Sequence, residues 1–191
     1  MVYENDENIC FGFFHNNGYF ASTLIYRYNN SEIKRVLGDE MAKKDKTNVM
    51  RVFEQRKVDY TGYQWEDVKK LEVNSPIYKT LVTQGKSGDH YVFVVPVDKE
   101  LQLKKAAKAV GEKNIHMIKE KDLLPLTGYV HGGCSPIGMK KQFITVLDET
   151  ARDHEKILFS GGKVGFSVEV NPRDLVEVIE FKLADIATEG E

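Results

Sequence analysis

Apolar and polar positions along the chain first resolve into a hairpin. Residues 76–83 and 90–97 are strand-length runs rich in β-branched and aromatic side chains, and the polar turn Gly85-Lys86-Ser87-Gly88-Asp89 separates them. Upstream, Val49, Val52 and Phe53 recur at helical spacing behind Asn48, a residue suited to capping. A helix is therefore expected from there to Gln55 or Arg56. A short strand at 58–60 follows, then a polar loop with the one tryptophan, Trp65. Downstream, Leu103, Ala106, Ala107 and Val110 form the apolar stripe of an amphipathic helix over 99–110, ended by Gly111. Residues 115–118, 142–147, 156–160 and 164–170 read as further strands, and 121–126 as a helical turn. Asn171-Pro172 predicts a last helix, with Asn171 as N-cap and Pro172 in the first turn. The sum is one α/β domain of the mixed α+β kind, a central mixed sheet flanked by helices.

The first forty residues follow a different pattern. They are rich in Asn, Tyr and Phe, with Asn16-Asn17-Gly18 and Asn29-Asn30 as turn signals. Phe11, Phe13 and Phe14, followed by 19–28, suit a short hairpin but form no domain pattern. Met41-Ala42-Lys43-Lys44 reads as a translation start. Residues 1–40 are therefore expected to be a non-native or dispensable extension, and 41–191 the domain. A genuine strand pair packed on that domain is the alternative.

Composition narrows the classes. An apolar fraction of 41% and a charged fraction of 29% over 191 residues suit a globular chain. No apolar run approaches the roughly 18 residues of a membrane span, and no secretory leader pattern opens the chain, so a cytoplasmic location without membrane attachment is expected. Cys10 and Cys134 have no metal-ligand spacing, and the five histidines form no helical pair, so neither metal nor cofactor is expected. Net charge is −2. Residues 1–40 hold three basic and six acidic side chains, which leaves 24 and 23 for the rest, no strongly basic footprint.

No Gly-x-Ser-x-Gly elbow, phosphate-binding Walker loop, dinucleotide fingerprint or His-Glu-x-x-His occurs. The chemistry-bearing cluster is 127–138, which packs four glycines and a proline into twelve residues. Such a loop is suited to aiming backbone amides at an oxyanion or phosphate, or simply to joining two strands. Lys79 stands between Ile77 and Leu81 on one face of a strand. It is either a snorkelling edge residue or a partly desolvated functional group. Cys134 is expected to be a small structural hydrophobe rather than a nucleophile, and His131 a loop-surface residue with substrate orientation as the alternative. Lys104, Lys105 and Lys108 on one helix, and Lys140 and Lys141 after the loop, are solvated faces or contacts for nucleic-acid phosphates.

Tyr78-Lys79-Thr80-Leu81, then Thr127-Gly128-Tyr129 through Gly132-Gly133 to Ser135-Pro136-Ile137-Gly138, then Ser160-Gly161-Gly162-Lys163, stand in an order and at spacings that resemble the YbaK/EbsC family. The resemblance covers about 47–186. It implies a single YbaK-like editing domain, similar to the one inserted in bacterial prolyl-tRNA synthetases. It further implies a trans-acting deacylase that removes mischarged cysteine from tRNA(Pro), with tRNA(Cys) a further candidate. Its partners would be charged tRNA and prolyl- or cysteinyl-tRNA synthetase.

Carried over by position, the family's essential lysine falls on Lys79, its substrate-facing glycine on Gly132 beside Gly133, and its motif serine on Ser160. Ser135, within the loop signature, joins Ser160 as a substrate-binding candidate. Two positions depart from the pattern. Ser167 stands where an aspartate is usual, and Trp65 where a tyrosine is usual, with Tyr63 close enough to substitute. The implied chemistry is attack of the substrate's own thiol on its ester carbonyl, the protein supplying position and oxyanion stabilisation. The rival readings are a non-catalytic tRNA- or synthetase-binding regulator on the same fold, and a deacylase for alanine or another small residue.

Overall fold

The computed structural model describes residues 46–64 and 73–189, together with the backbone of a short antiparallel pair, β1 (Glu4–Asn5) and β2 (Asn8–Ile9). The chain divides into two units, Met1–Asp45 and Lys46–Glu191. The hairpin expected over Phe11, Phe13, Phe14 and 19–28, and the site candidate Trp65, lie outside the described residues.

The second unit opens with α1 (Asn48–Arg56), which buries Val49, Met50 and Phe53. Its N-cap is Thr47, not Asn48: Thr47 Oγ1 accepts from the Met50 amide at 3.3 Å. Asn48 instead donates its side-chain amide to the Gly138 carbonyl at 3.2 Å, a tie across 90 residues that a local pattern cannot show. β3 (Tyr60–Gln64) starts where the expected strand at 58–60 was to end.

β4 (Tyr78–Gly85) and β5 (His90–Pro96) form the expected antiparallel hairpin, Lys79 opposite Val95. β6 (Lys99–Leu101) occupies the first turn of what reads as a helix, and α2 (Leu103–Val110) starts only after it. β6 is drawn into extended form by pairing with β12 (Ala187–Glu189), far along the chain. Gln102 then caps α2, its Oε1 accepting from the Lys104 and Lys105 amides. β7 (Ile115–Met117), α3 (Glu120–Thr127), β8 (Ile144–Asp148), β9 (Ile157–Ser160) and β10 (Phe166–Val170) follow. The last predicted helix is a 3-10 stretch, Pro172–Glu177, capped as expected by Asn171, and β11 (Phe181–Ala184) comes after it.

The strands form a five-stranded mixed sheet, β11-β8-β5-β4-β7, and a three-stranded antiparallel sheet, β3-β10-β9. The fold is thus the mixed α+β arrangement expected. β5 is its centre, buried from Tyr91 through Pro96. Tyr91, Phe93 and Val95 pack towards α2 against Ala106 and Ala107. Val92 and Val94 pack on the opposite face with Val49 and Phe53 of α1 and Phe159 of β9. Alternation within one strand therefore serves two cores, as a fully buried strand requires.

Asp148, at the end of β8, is 2% exposed and accepts four hydrogen bonds. The Thr150 amide and hydroxyl donate to Oδ1 at 3.1 and 2.6 Å, and the Ile186 and Ala187 amides to Oδ2 at 3.2 and 3.1 Å. The Thr150 hydroxyl also meets Tyr78 OH at 3.0 Å, which connects this knot to the start of β4. Removing the carboxylate strands two buried amides, each worth about 1–3 kcal/mol when unsatisfied. Asp148→Ala is therefore expected to lose about 3 kcal/mol of unfolding free energy in urea titration; a loss below about 1 kcal/mol would show that these bonds are replaceable.

Candidate active site

β4 is paired along its whole length with β5 but only partly on its other edge. β7 reaches only 83–85, and β9 makes a single parallel bridge just before the strand starts, Ile77 with Leu158, next to a 2.9 Å bond from the Leu158 amide to the Pro76 carbonyl. Between these two contacts the edge opens onto a cleft of about 530 Å³, lined by Lys79, Thr80, Glu120, His131, Gly132 and Ser160 among others. Antiparallel strands turn successive backbone groups alternately towards and away from the partner. The Val97 amide donates to the Ile77 carbonyl at 2.8 Å, which sets that alternation. Thr80 therefore turns its N–H and C=O away from β5, towards the cleft. Its Oγ1 is buried beside the cleft with no hydrogen-bond partner among the described residues.

Strand register brings the sequence-derived candidates into one row. From the bridge Ile77–Leu158, two residues along each parallel strand lead to Lys79 and Ser160 on the same face. Ser160 faces Ser167 across β9 and β10, and Ser167 faces Tyr63 across β10 and β3. Lys79, Ser160 and Ser167 line the cleft. Lys79 Nζ donates to the Val97 carbonyl at 3.3 Å. Tyr63 donates its hydroxyl to Glu169 Oε2 at 3.2 Å, one step deeper on that face, and burial followed by this carboxylate raises the Tyr63 pKa.

Glu169 itself was not anticipated from the sequence. It is 8% exposed and also accepts from Ser75 at 2.7 Å and from Lys156 at 3.5 Å. The available signal was its place between Val168 and Val170, a charged residue in a buried strand. A buried carboxylate requires such partners.

The glycine-rich loop forms the opposite wall. It is closed at its base by the Lys140 amide donating to the Thr127 carbonyl at 2.9 Å and braced inside by Tyr129 OH on the Ile137 carbonyl at 2.6 Å. Gly132 is at the exposed tip with φ +76°, a conformation that disfavours any side chain. Its amide forms no hydrogen bond within the described residues, and Gly132 lines the cleft.

Gly133 differs from Gly132. Its amide donates to the Val130 carbonyl at 3.0 Å, and a Cβ there would come within 3.0 Å of Val164 N and 3.3 Å of Lys163 C. Its smallness lets the β9–β10 turn pack on the loop, and its amide is not free for an oxyanion. Ser135 is fully buried, and its Oγ accepts from the Ile137 amide at 3.4 Å, so it shapes the loop.

Cys134 lines the cleft but is 8% exposed, and burial pushes its thiol up to about 12. At neutral pH it is a thiol, not a thiolate, and the thiol is a poor nucleophile. Among the described residues His131 is the imidazole on the cleft, and no hydrogen bond joins it to the hydroxyls or the thiol there. Among the described residues the cleft thus offers cationic and amide donors without an assembled nucleophile and base.

Residues 62–178 match the family described as Aminoacyl-tRNA editing domain. The chain is 44% identical over 162 residues, 78% of its own length and 99% of the relative's, to a protein of Enterococcus faecalis (strain ATCC 700802 / V583) named "Putative Cys-tRNA(Pro)/Cys-tRNA(Cys) deacylase EbsC". Among solved structures it is similar to "Crystal structure of hypothetical protein APE2540", with a TM-score of 0.67 and 25% identity over 74% of this chain and 100% of that one. It is also similar to "Crystal structure of a putative trans-editing enzyme for prolyl tRNA synthetase", with a TM-score of 0.62 and 23% identity over 75% and 99%. These structural likenesses carry the fold.

The buried thiol gives a direct check of the site's electrostatics. Peptide-resolved alkylation near pH 8 is expected to modify Cys134 at least about 10²-fold more slowly in the folded chain than in urea. Comparable rates in the two states would place Cys134 in an exposed, reactive setting.

Proposed function

Because the chain belongs to the aminoacyl-tRNA editing domain family, we propose that it is a trans-acting deacylase clearing mischarged cysteine from tRNA(Pro), with Cys-tRNA(Cys) a second substrate. The observation that carries this reading is the cleft on the open edge of β4. It presents Lys79 and Gly132 together, yet among the described residues its thiol is buried and protonated, and its imidazole is hydrogen-bonded to no hydroxyl. Such a site is equipped to hold an activated ester and stabilise developing negative charge, and the nucleophile is left to the substrate.

Cysteine supplies one. Its sulfur attacks its own ester carbonyl, the carbon–oxygen bond to the terminal ribose breaks, and the proton lost by the thiol passes to the departing tRNA hydroxyl. The products are free tRNA and a cyclic thiolactone, without a water molecule being consumed. The Gly132 amide meets the oxyanion of the tetrahedral intermediate. Lys79, a compact point charge, holds the terminal adenosine by its phosphate or hydroxyl. The Thr80 carbonyl, aimed into the cleft, accepts from the substrate's α-ammonium. Ser160, opposite Lys79, borders the amino-acid side of the site. Its Oγ accepts from the Gly162 amide at 3.3 Å, which sets the hydroxyl's direction.

Two measurements test the reading. In a panel of Cys-, Ala- and Pro-charged tRNA(Pro), the cysteinyl ester is expected to be cleared fastest. A preference for the alanyl ester would assign the chain to small-residue editing, and inertness towards all three would favour a regulator. Lys79→Ala is expected to lower deacylation by about 10²-fold, the range for removing one preorganised electrostatic contact, with the circular dichroism spectrum unchanged. Cys134→Ala is expected to stay within a few-fold of wild type, and an inactive, folded Cys134→Ala would overturn the assignment of the nucleophile.

A further inference from the structure

The turn between β9 and β10 carries a cation that the reaction above does not use. The Gly161 amide donates to the Phe166 carbonyl at 2.9 Å, and the Phe166 amide to the Lys163 carbonyl at 3.0 Å, so the turn is closed by its own backbone. It packs on the glycine loop through the close approach at Gly133. Phe166 lines the cleft, and Lys163 Nζ sits 4.7 Å from the centre of its ring. This cation–π contact holds the ammonium at the rim while leaving its N–H donors open to solvent. Lys163 forms no ion pair among the described residues, unlike Lys46, Lys99, Lys105 and Lys156. Glu120, the carboxylate that lines the cleft among the described residues, stands at the start of α3 rather than on the β9–β10 turn.

We propose that Lys163 is a contact for a backbone phosphate of the polynucleotide whose aminoacylated end occupies the cleft. The inference rests on the deacylase reading and names a second point at which that substrate is held. An ester seated against Lys79 and Gly132 leaves its nucleotide chain to run out over the rim. Lys163 meets it there, a positioned point charge without an ion-pair partner among the described residues and suited to a phosphodiester. Exposed Val164, at 58%, and Val130, at 47%, offer apolar surface to the bases beside it.

The test compares a substrate that has the phosphate with one that lacks it. Lys163→Gln is expected to raise the KM for Cys-tRNA(Pro) about tenfold at low salt, leaving kcat unchanged and cleavage of cysteinyl-adenosine unaffected. The slope of log affinity for uncharged tRNA against log salt should become shallower by about 0.7, the single-strand value per phosphate contact. Lys163→Arg, which keeps the charge and the ring contact, should restore both. Equal damage to cysteinyl-adenosine cleavage would make Lys163 a support for Phe166 and overturn the proposal, as would an unchanged affinity and salt slope. A wild-type chain that cleaves neither substrate would sink the deacylase reading, yet the salt slope of tRNA binding would still decide the role of Lys163.

Discussion

β4 is hydrogen-bonded to β5 from end to end but to its other neighbours only near its two ends, and this partial pairing underlies the rest of the site. A strand with both edges filled would have no free backbone groups and no room beside it. Here β7 takes 83–85 and β9 takes the bridge at Ile77. The interval between them exposes the Thr80 backbone within a walled cleft, where an open edge is protected from pairing with another chain. The same bridge sets the parallel register that brings Lys79 alongside Ser160. The Asp148 knot, through Thr150 and Tyr78, holds the start of β4 in place.

The two glycines of the loop do different work, although they are adjacent. Gly132 supplies a conformation at the tip and an amide without a partner among the described residues. Gly133 supplies an absence of volume, so that the β9–β10 turn can lean on the loop and bring Phe166 and Lys163 to the rim. The cleft is therefore built from segments distant in sequence, among them β4, the glycine loop and the β9–β10 turn, and the packing of the turn on the loop holds the residues of these separate elements around one space. Preorganised donors of this kind stabilise charge without reorganising during the reaction.

Much of the fold was legible because its main elements announce themselves locally. The β4–β5 hairpin has alternation and a polar turn, α1 has helical spacing, and Asn171-Pro172 has the chemistry of a capped turn. What was not legible depends on partners far along the chain. The 99–101 segment looks helical until β12 pairs with it, and Asn48 looks like a cap until Gly138 lies opposite it. β11 and β12 gave no local signal strong enough to separate them from a polar terminus. For the site, Lys79, Gly132 and Ser160 were singled out as residues, and the structure brings them to one cleft. Gly133 and Ser135 are both buried, and the hydrogen bonds they form lie within the loop, which depends on packing that the sequence alone does not show. Glu169 was missed because a lone acidic residue between two valines shows its burial only once three strands are assembled around it.

The proposed chemistry stands on the substrate's sulfur as the attacking atom. The most direct measurement compares Cys-tRNA(Pro) with S-methylcysteinyl-tRNA(Pro), which keeps the amino acid's shape but blocks the thiol. Loss of an intramolecular nucleophile is expected to slow deacylation by at least about 10²-fold while leaving KM within a few-fold. Comparable rates on the two esters would contradict the account and require an activated water or a protein nucleophile in the cleft.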